Sequence, residues 1–193
     1  TLTMISYPYL QRFVGPGFDQ SNFSRFISVF FLTVKDEQMT DTKEYNILLL
    51  TNRGSDNVGD QVIEATDISL IKAAMKNLGI DESQVRITSR DASIVSREYV
   101  QTRDPEMLAT ARNLISNTDV VFFGGAPLFN YLYQIFYERT AVTIELAKEY
   151  NKPVVFSAIG IEGYDEDNEK CQRLKKTLNF DNVRVITTRD GFD

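Results

Sequence analysis

Apolar residues in this chain fall into short blocks, and their spacing alternates between strand-like and helix-like. Ile47-Leu48-Leu49-Leu50 is a continuous apolar run, the pattern of a strand buried on both faces of a parallel sheet. Beyond it, Val62, Ala65, Ile68, Ser69, Ile71, Ala74, Met75 and Leu78 keep mostly helical spacing, and Gly79 follows as a stop signal. Val85-Arg86-Ile87-Thr88 reads as a second strand. Asp104-Pro105-Glu106 opens a helix with a cap residue and then proline at the first helical position, and Leu108, Ala111, Arg112 and Ile115 continue it. Residues 119–123 give a third strand, 132–150 a long helix, 153–159 a fourth strand, 167–178 a polar helix and 183–187 a fifth strand. This alternation predicts βαβ units and an α/β fold: a doubly wound, mainly parallel, Rossmann-like sheet with right-handed crossovers.

Residues 1–44 break the pattern. The stretch up to Gln38 is rich in Phe and Ser, with Gly15-Pro16-Gly17 in its middle, and its apolar run at residues 26–34 is interrupted by Ser28 and Thr33. That run is shorter than the roughly 20 apolar residues a membrane span needs, and no signal-peptide pattern frames it. The expectation is an N-terminal extension over residues 1–44, poorly ordered or not native, with Met39 as the natural start. Residues 45–193 then form the domain. A strand has just ended where Arg189-Asp190-Gly191-Phe192-Asp193 closes the sequence, so the chain is expected to be a fragment of a longer protein.

Composition narrows the chemistry. Lys and Arg number 21 against 27 Asp and Glu, a net charge of −6, and no basic cluster suited to nucleic acid appears. The lone Cys171 excludes an intramolecular disulfide and fits a reducing compartment, the cytoplasm. Histidine is absent, which removes Ser-His-Asp and Cys-His catalysis and most zinc sites. No metal ligand set and no bound cofactor are expected.

Four loops leave the carboxyl ends of the predicted strands, at 51–60, 124–130, 157–164 and 187–193, and in a parallel sheet these converge on one edge. In the first, Asn57 and Asp60 serve either as helix caps or as ligands, and Gly59 permits a close backbone approach. The loop has neither Gly-x-Gly-x-x-Gly nor a P-loop lysine. Gly124-Gly125, Ser157 and Gly160 are either turn formers or places where a ligand meets the backbone. Arg189 beside Asp190 is a surface pair or an anion contact.

Taken together, Asn57-Val58-Gly59-Asp60-Gln61-Val62-Ile63, Asp119-Val120-Val121-Phe122-Phe123-Gly124-Gly125, Ser157-Ala158-Ile159-Gly160-Ile161 and Thr188-Arg189-Asp190 occur in an order that resembles the polysaccharide pyruvyl transferase family, from about Tyr45 to the C-terminus. Ala126-Pro127 departs from the family's third glycine. The resemblance implies the N-terminal half of a two-domain, glycosyltransferase-B-like enzyme of cell-envelope polysaccharide biosynthesis. Phosphoenolpyruvate would be the donor substrate, held mainly by a missing C-terminal domain. A sugar or lipid-linked glycan would be the acceptor, bringing peripheral membrane association with it. Asp60 would then be the base, with Asn57, Gly59, Gly124, Gly125, Ser157, Gly160, Arg189 and Asp190 binding substrate. This half alone is expected to be inactive. The alternatives are a nucleotide-sugar glycosyltransferase or a non-catalytic module that binds sugar or nucleotide.

Overall fold

The computed structural model describes residues 43–54, 56–130 and 134–188. The expectations for the N-terminal extension, for Met39 and for Arg189 and Asp190 lie outside the described residues. Five parallel strands form the main sheet in the order β2-β1-β3-β5-β7, with β1 at Tyr45–Thr51, β2 at Val85–Asp91, β3 at Val120–Gly124, β5 at Val154–Ile159 and β7 at Val183–Thr188. The chain runs outward from β1 in one direction to β2, then crosses back to lay β3, β5 and β7 on the other side. An α/β fold is thus established. The reversal leaves a topological switch between β1 and β3, which in open parallel sheets is where a crevice forms.

Helices pack on both faces. Ile47, Leu49, Val120, Phe122 and Val155 form one apolar cluster with Leu70, Ile71, Ala74 and Met75 of α1 (Val58–Asn77). On the opposite face, Leu48, Leu50, Val121, Phe123, Val154 and Phe156 meet α3 (Ala109–Ser116), α4 (Gln134–Glu149) and α5 (Glu169–Leu178). Alternate residues of continuous apolar strands thus serve opposite faces, as period-two geometry requires. Phe123 and Phe156 stack with centroids 4.7 Å apart, and Phe129 meets Phe156 edge-on. Each such buried side chain contributes roughly 1.5–3 kcal/mol.

The termini of α1 follow local chemistry. Asn57 Oδ1 accepts a hydrogen bond from the Gly59 N–H at 2.8 Å and caps the start. Gly79 adopts φ 76° at the other end, and the Ile80 N–H closes back on the Met75 carbonyl. The face of α1 differs from the expectation. Val62, Ala65 and Ser69 are exposed, whereas Asp67, Leu70, Ile71, Ala74 and Met75 are buried. The stripe that meets the sheet starts at Ile63 rather than Val62, and a carboxylate lies within it.

Other elements differ from the sequence reading or add to it. The helix opened by Asp104 begins as a 3-10 turn, Pro105–Leu108, before α3. A short α2 spans Arg97–Thr102. Phe129–Asn130 (β4) pairs in parallel with Ile161–Glu162 (β6), above the carboxyl ends of β3 and β5.

Candidate functional site

The carboxyl edge of the sheet carries two different polar environments. The first is buried. Asp67 points from α1 toward the ends of β1, β3 and β5 and is only 4% exposed. Ser157 Oγ donates to its Oδ1 at 3.0 Å. Its Oδ2 and the hydroxyl of Thr51 are buried with no hydrogen-bond partner among the described residues. Burial pushes the Asp67 carboxyl up to about 7, with the Ser157 hydrogen bond acting in the opposite sense.

Gly124 explains how the carboxylate fits. A Cβ there would lie 2.1 Å from Asp67 Oδ2 and 3.1 Å from Thr51 Cγ2. The missing side chain at Gly124 therefore makes room for a side chain of the same protein. Gly125 has φ 27°, a Cβ there would meet Ile63 Cγ2 at 2.4 Å, and its N–H donates to the Ser157 carbonyl at 2.8 Å. Gly160 is buried and donates to the Ala126 carbonyl at 3.2 Å. Thr187 Oγ1 donates to the Phe156 carbonyl and accepts from the Ala158 N–H. Glycines and hydroxyls thus lock the loops after β3 and β5 together.

At the rim, Asp60 is half-buried and accepts from Asn52 Nδ2 at 2.9 Å. Asn57 and Gly59 are exposed beside it. Asp60 therefore sits in the first helical turn, where the helix dipole favours a carboxylate, tied to the loop that follows β1. Among the described site residues, Asn57, Gly59 and Asp60 form one rim group, and Gly124, Gly125, Ser157 and Gly160 a second, deeper group.

The second environment is an open cleft of about 770 Å³ at the switch point. Asn52 and Gly54 line it from the β1 loop, Asp91 and Ser93 from the end of β2, Arg97 from α2, and Arg139 from α4. Asp91 Oδ1 accepts from the Ser93 N–H at 2.7 Å and Oδ2 from the Gly54 N–H at 3.0 Å. Burial opposes ionisation of Asp91, but these hydrogen bonds and the charge of Arg139 hold it below the usual carboxylate range. Glu138, buried beside the cleft, is bridged by Arg103 at 2.5 Å and Arg173 at 2.6 Å. Arg139 is half-buried. Burial lowers the affinity of its guanidinium for a proton, Asp91 raises it and the like charge of Arg97 lowers it further. Its Nε is buried with no hydrogen-bond partner among the described residues.

Sequence reading passed over Asp67, Asp91, Arg97 and Arg139. Asp67 had a usable signal: it stands four residues after Ile63 and four before Ile71, so a helix buried through those residues must bury it too. Asp91-Ala92-Ser93 carries the spacing of an Asx turn. Nothing local marks the two arginines. Among the described residues no group of His, Cys, Asp and Glu could hold a metal ion, and no helix is long and apolar enough to cross a membrane. Comparison with protein-family models, with curated proteins and with solved structures found no match for the chain.

Proposed function

We propose that this chain is the N-terminal, Rossmann-like half of a glycosyltransferase-B-like pyruvyl transferase, which moves a pyruvyl group from phosphoenolpyruvate to hydroxyls of a sugar. The observation that carries the reading is the joint placement of its motif residues. Asn57-Val58-Gly59-Asp60, Gly124-Gly125 and Ser157-x-x-Gly160, far apart in the chain, gather at the carboxyl ends of adjacent parallel strands. The chemistry asks for a proton on the donor's methylene carbon, so that its C2 becomes electrophilic. A sugar hydroxyl then forms a C–O bond to C2 and loses its proton. A second hydroxyl displaces phosphate, which leaves with the remaining proton, and a ketal results. Asp60 at the half-exposed rim, oriented by Asn52, is the group that takes a hydroxyl proton. Asp67 is too deeply buried to touch substrate. It acts as a positioning residue, filling the space beside Gly124.

The donor half and the acceptor itself belong to the remainder of the protein and to a cell-envelope glycan. The test is turnover of the chain joined to its C-terminal domain, with phosphoenolpyruvate and a panel of sugar acceptors. Acceptor-dependent phosphate release is expected, and Asp60→Asn should lower it by roughly a hundredfold or more. Consumption of a nucleotide sugar in place of phosphoenolpyruvate would assign the protein to the glycosyltransferases instead.

A further inference from the structure

We infer that the switch-point cleft binds a phosphate monoester, with Arg139 and Arg97 holding the phosphoryl group and Asp91 and Asn52 facing the hydroxylated part of the ligand. The inference concerns binding alone and does not depend on pyruvyl transfer.

Charge placement is the first support. The chain carries a net charge of −6, yet three arginines, Arg97, Arg103 and Arg139, line this one cleft. Arg103 is committed to Glu138, which Arg173 also bridges, leaving that carboxylate fully matched. Arg97 and Arg139 form no salt bridge among the described residues. Asp91, whose charge acts on Arg139, forms no salt bridge with it and has both oxygens engaged by backbone N–H groups. Both arginines line the cleft, and the like charge of Arg97 disfavours the protonated guanidinium of Arg139, so an anion bound in the cleft relieves that repulsion. A dianion at neutral pH matches two such cations, and a planar guanidinium binds phosphoryl oxygens through two parallel hydrogen bonds.

The second support is geometry. Arg139 is half-buried in the cleft lining, so an anion bound there meets a guanidinium already stripped of part of its water. A volume of about 770 Å³ far exceeds inorganic phosphate and suits a small organic ligand. Each Asp91 oxygen keeps a second lone pair beside its backbone bond and cannot donate, which fits hydroxyl groups and disfavours a second phosphoryl group. Asn52, Gln101 and Ser93 add further polar contacts along the wall. The ligand class is therefore a phosphorylated polyol or sugar.

Isothermal titration with glycerol 3-phosphate, inorganic phosphate, dimethyl phosphate and glycerol tests this directly. Glycerol 3-phosphate should bind saturably with Kd of about 1 mM or tighter, inorganic phosphate more weakly, and glycerol not at all up to about 20 mM. Arg139→Gln and the exposed Arg97→Gln should each weaken glycerol 3-phosphate by roughly tenfold or more. Arg139→Lys, which keeps the charge and loses the fork, should fall between. Lys72→Gln, at a distant surface pair with Glu82, should leave binding unchanged. Circular dichroism confirms that each variant is folded, and Arg97→Gln keeps the test open should Arg139→Gln fail to fold. Absence of saturable binding, parental affinity in both arginine variants, or dimethyl phosphate binding as tightly as glycerol 3-phosphate would each overturn the inference. The readout is heat of binding rather than turnover, so its failure is distinguishable from failure of pyruvyl transfer.

Discussion

The buried polar group beneath Gly124 and the open cleft at the switch point lie on the same edge of one sheet, yet they solve opposite problems. Asp67, Ser157 and Thr51 are shut away from water, with two oxygens unsatisfied among the described residues. Arg97, Arg139 and Asp91 line a cleft open to solvent. In the first, polarity shapes the protein's own turns. In the second, it faces outward and is available to a ligand. A perturbed carboxyl is therefore not by itself the mark of a reactive site: here the most strongly shifted acid among the described residues is one shut away from solvent.

Substitutions at three positions sharpen that contrast. The largest effect belongs to Gly124→Ala, which forces a methyl group into the space of Asp67 Oδ2 between two buried strands. A loss of about 3 kcal/mol or more is expected in urea unfolding. If the Asp67 carboxylate is what Gly124 accommodates, Asp67→Ala combined with Gly124→Ala should recover part of that loss. Strict additivity of the two substitutions would break the assignment.

The next effect is a pH dependence. Unfolded aspartate releases its proton near 3.8, whereas Asp67 in the folded chain holds it to about 7. Between those values the folded state carries the extra proton, so stability from this group is greatest on the acid side. It declines as pH rises from about 4 through about 7, by at most roughly 4 kcal/mol. Asp67→Asn should abolish that decline, making the variant more stable than the parent at pH 8 but not at pH 5. Parallel pH profiles for variant and parent would show that Asp67 is not the titrating group.

The smallest effect lies at the exposed rim. Asn57→Ala removes the cap of α1 and should cost about 1 kcal/mol, with Asn57→Ser restoring most of it. Loss of sugar binding without that loss of stability would instead make Asn57 a ligand residue.

Much of the scaffold was legible because continuous apolar runs such as Ile47-Leu48-Leu49-Leu50 have few alternatives to a buried strand. The first three strands, Gly79 as helix stop and the Asp104-Pro105 start all reflect chemistry confined to a few neighbours. α2 escaped notice because Arg97-Glu98-Tyr99-Val100-Gln101-Thr102 is too short to display a helical period. β4 and β6 escaped because two-residue strands exist only through their pairing across distant loops. Asp67 was hidden because the buried face of α1 starts at Ile63 rather than Val62, about 100° further round the helix. The arginine pair depends on how α2 meets α4, which no local pattern encodes.

The pairing of β4 with β6 has a thermodynamic consequence. Together with the hydrogen bonds from Gly125 to Ser157 and from Gly160 to Ala126, it makes the loops after β3 and β5 a single body. Restricting one restricts the other, so a ligand that settles against either incurs the entropic cost of immobilisation once for both.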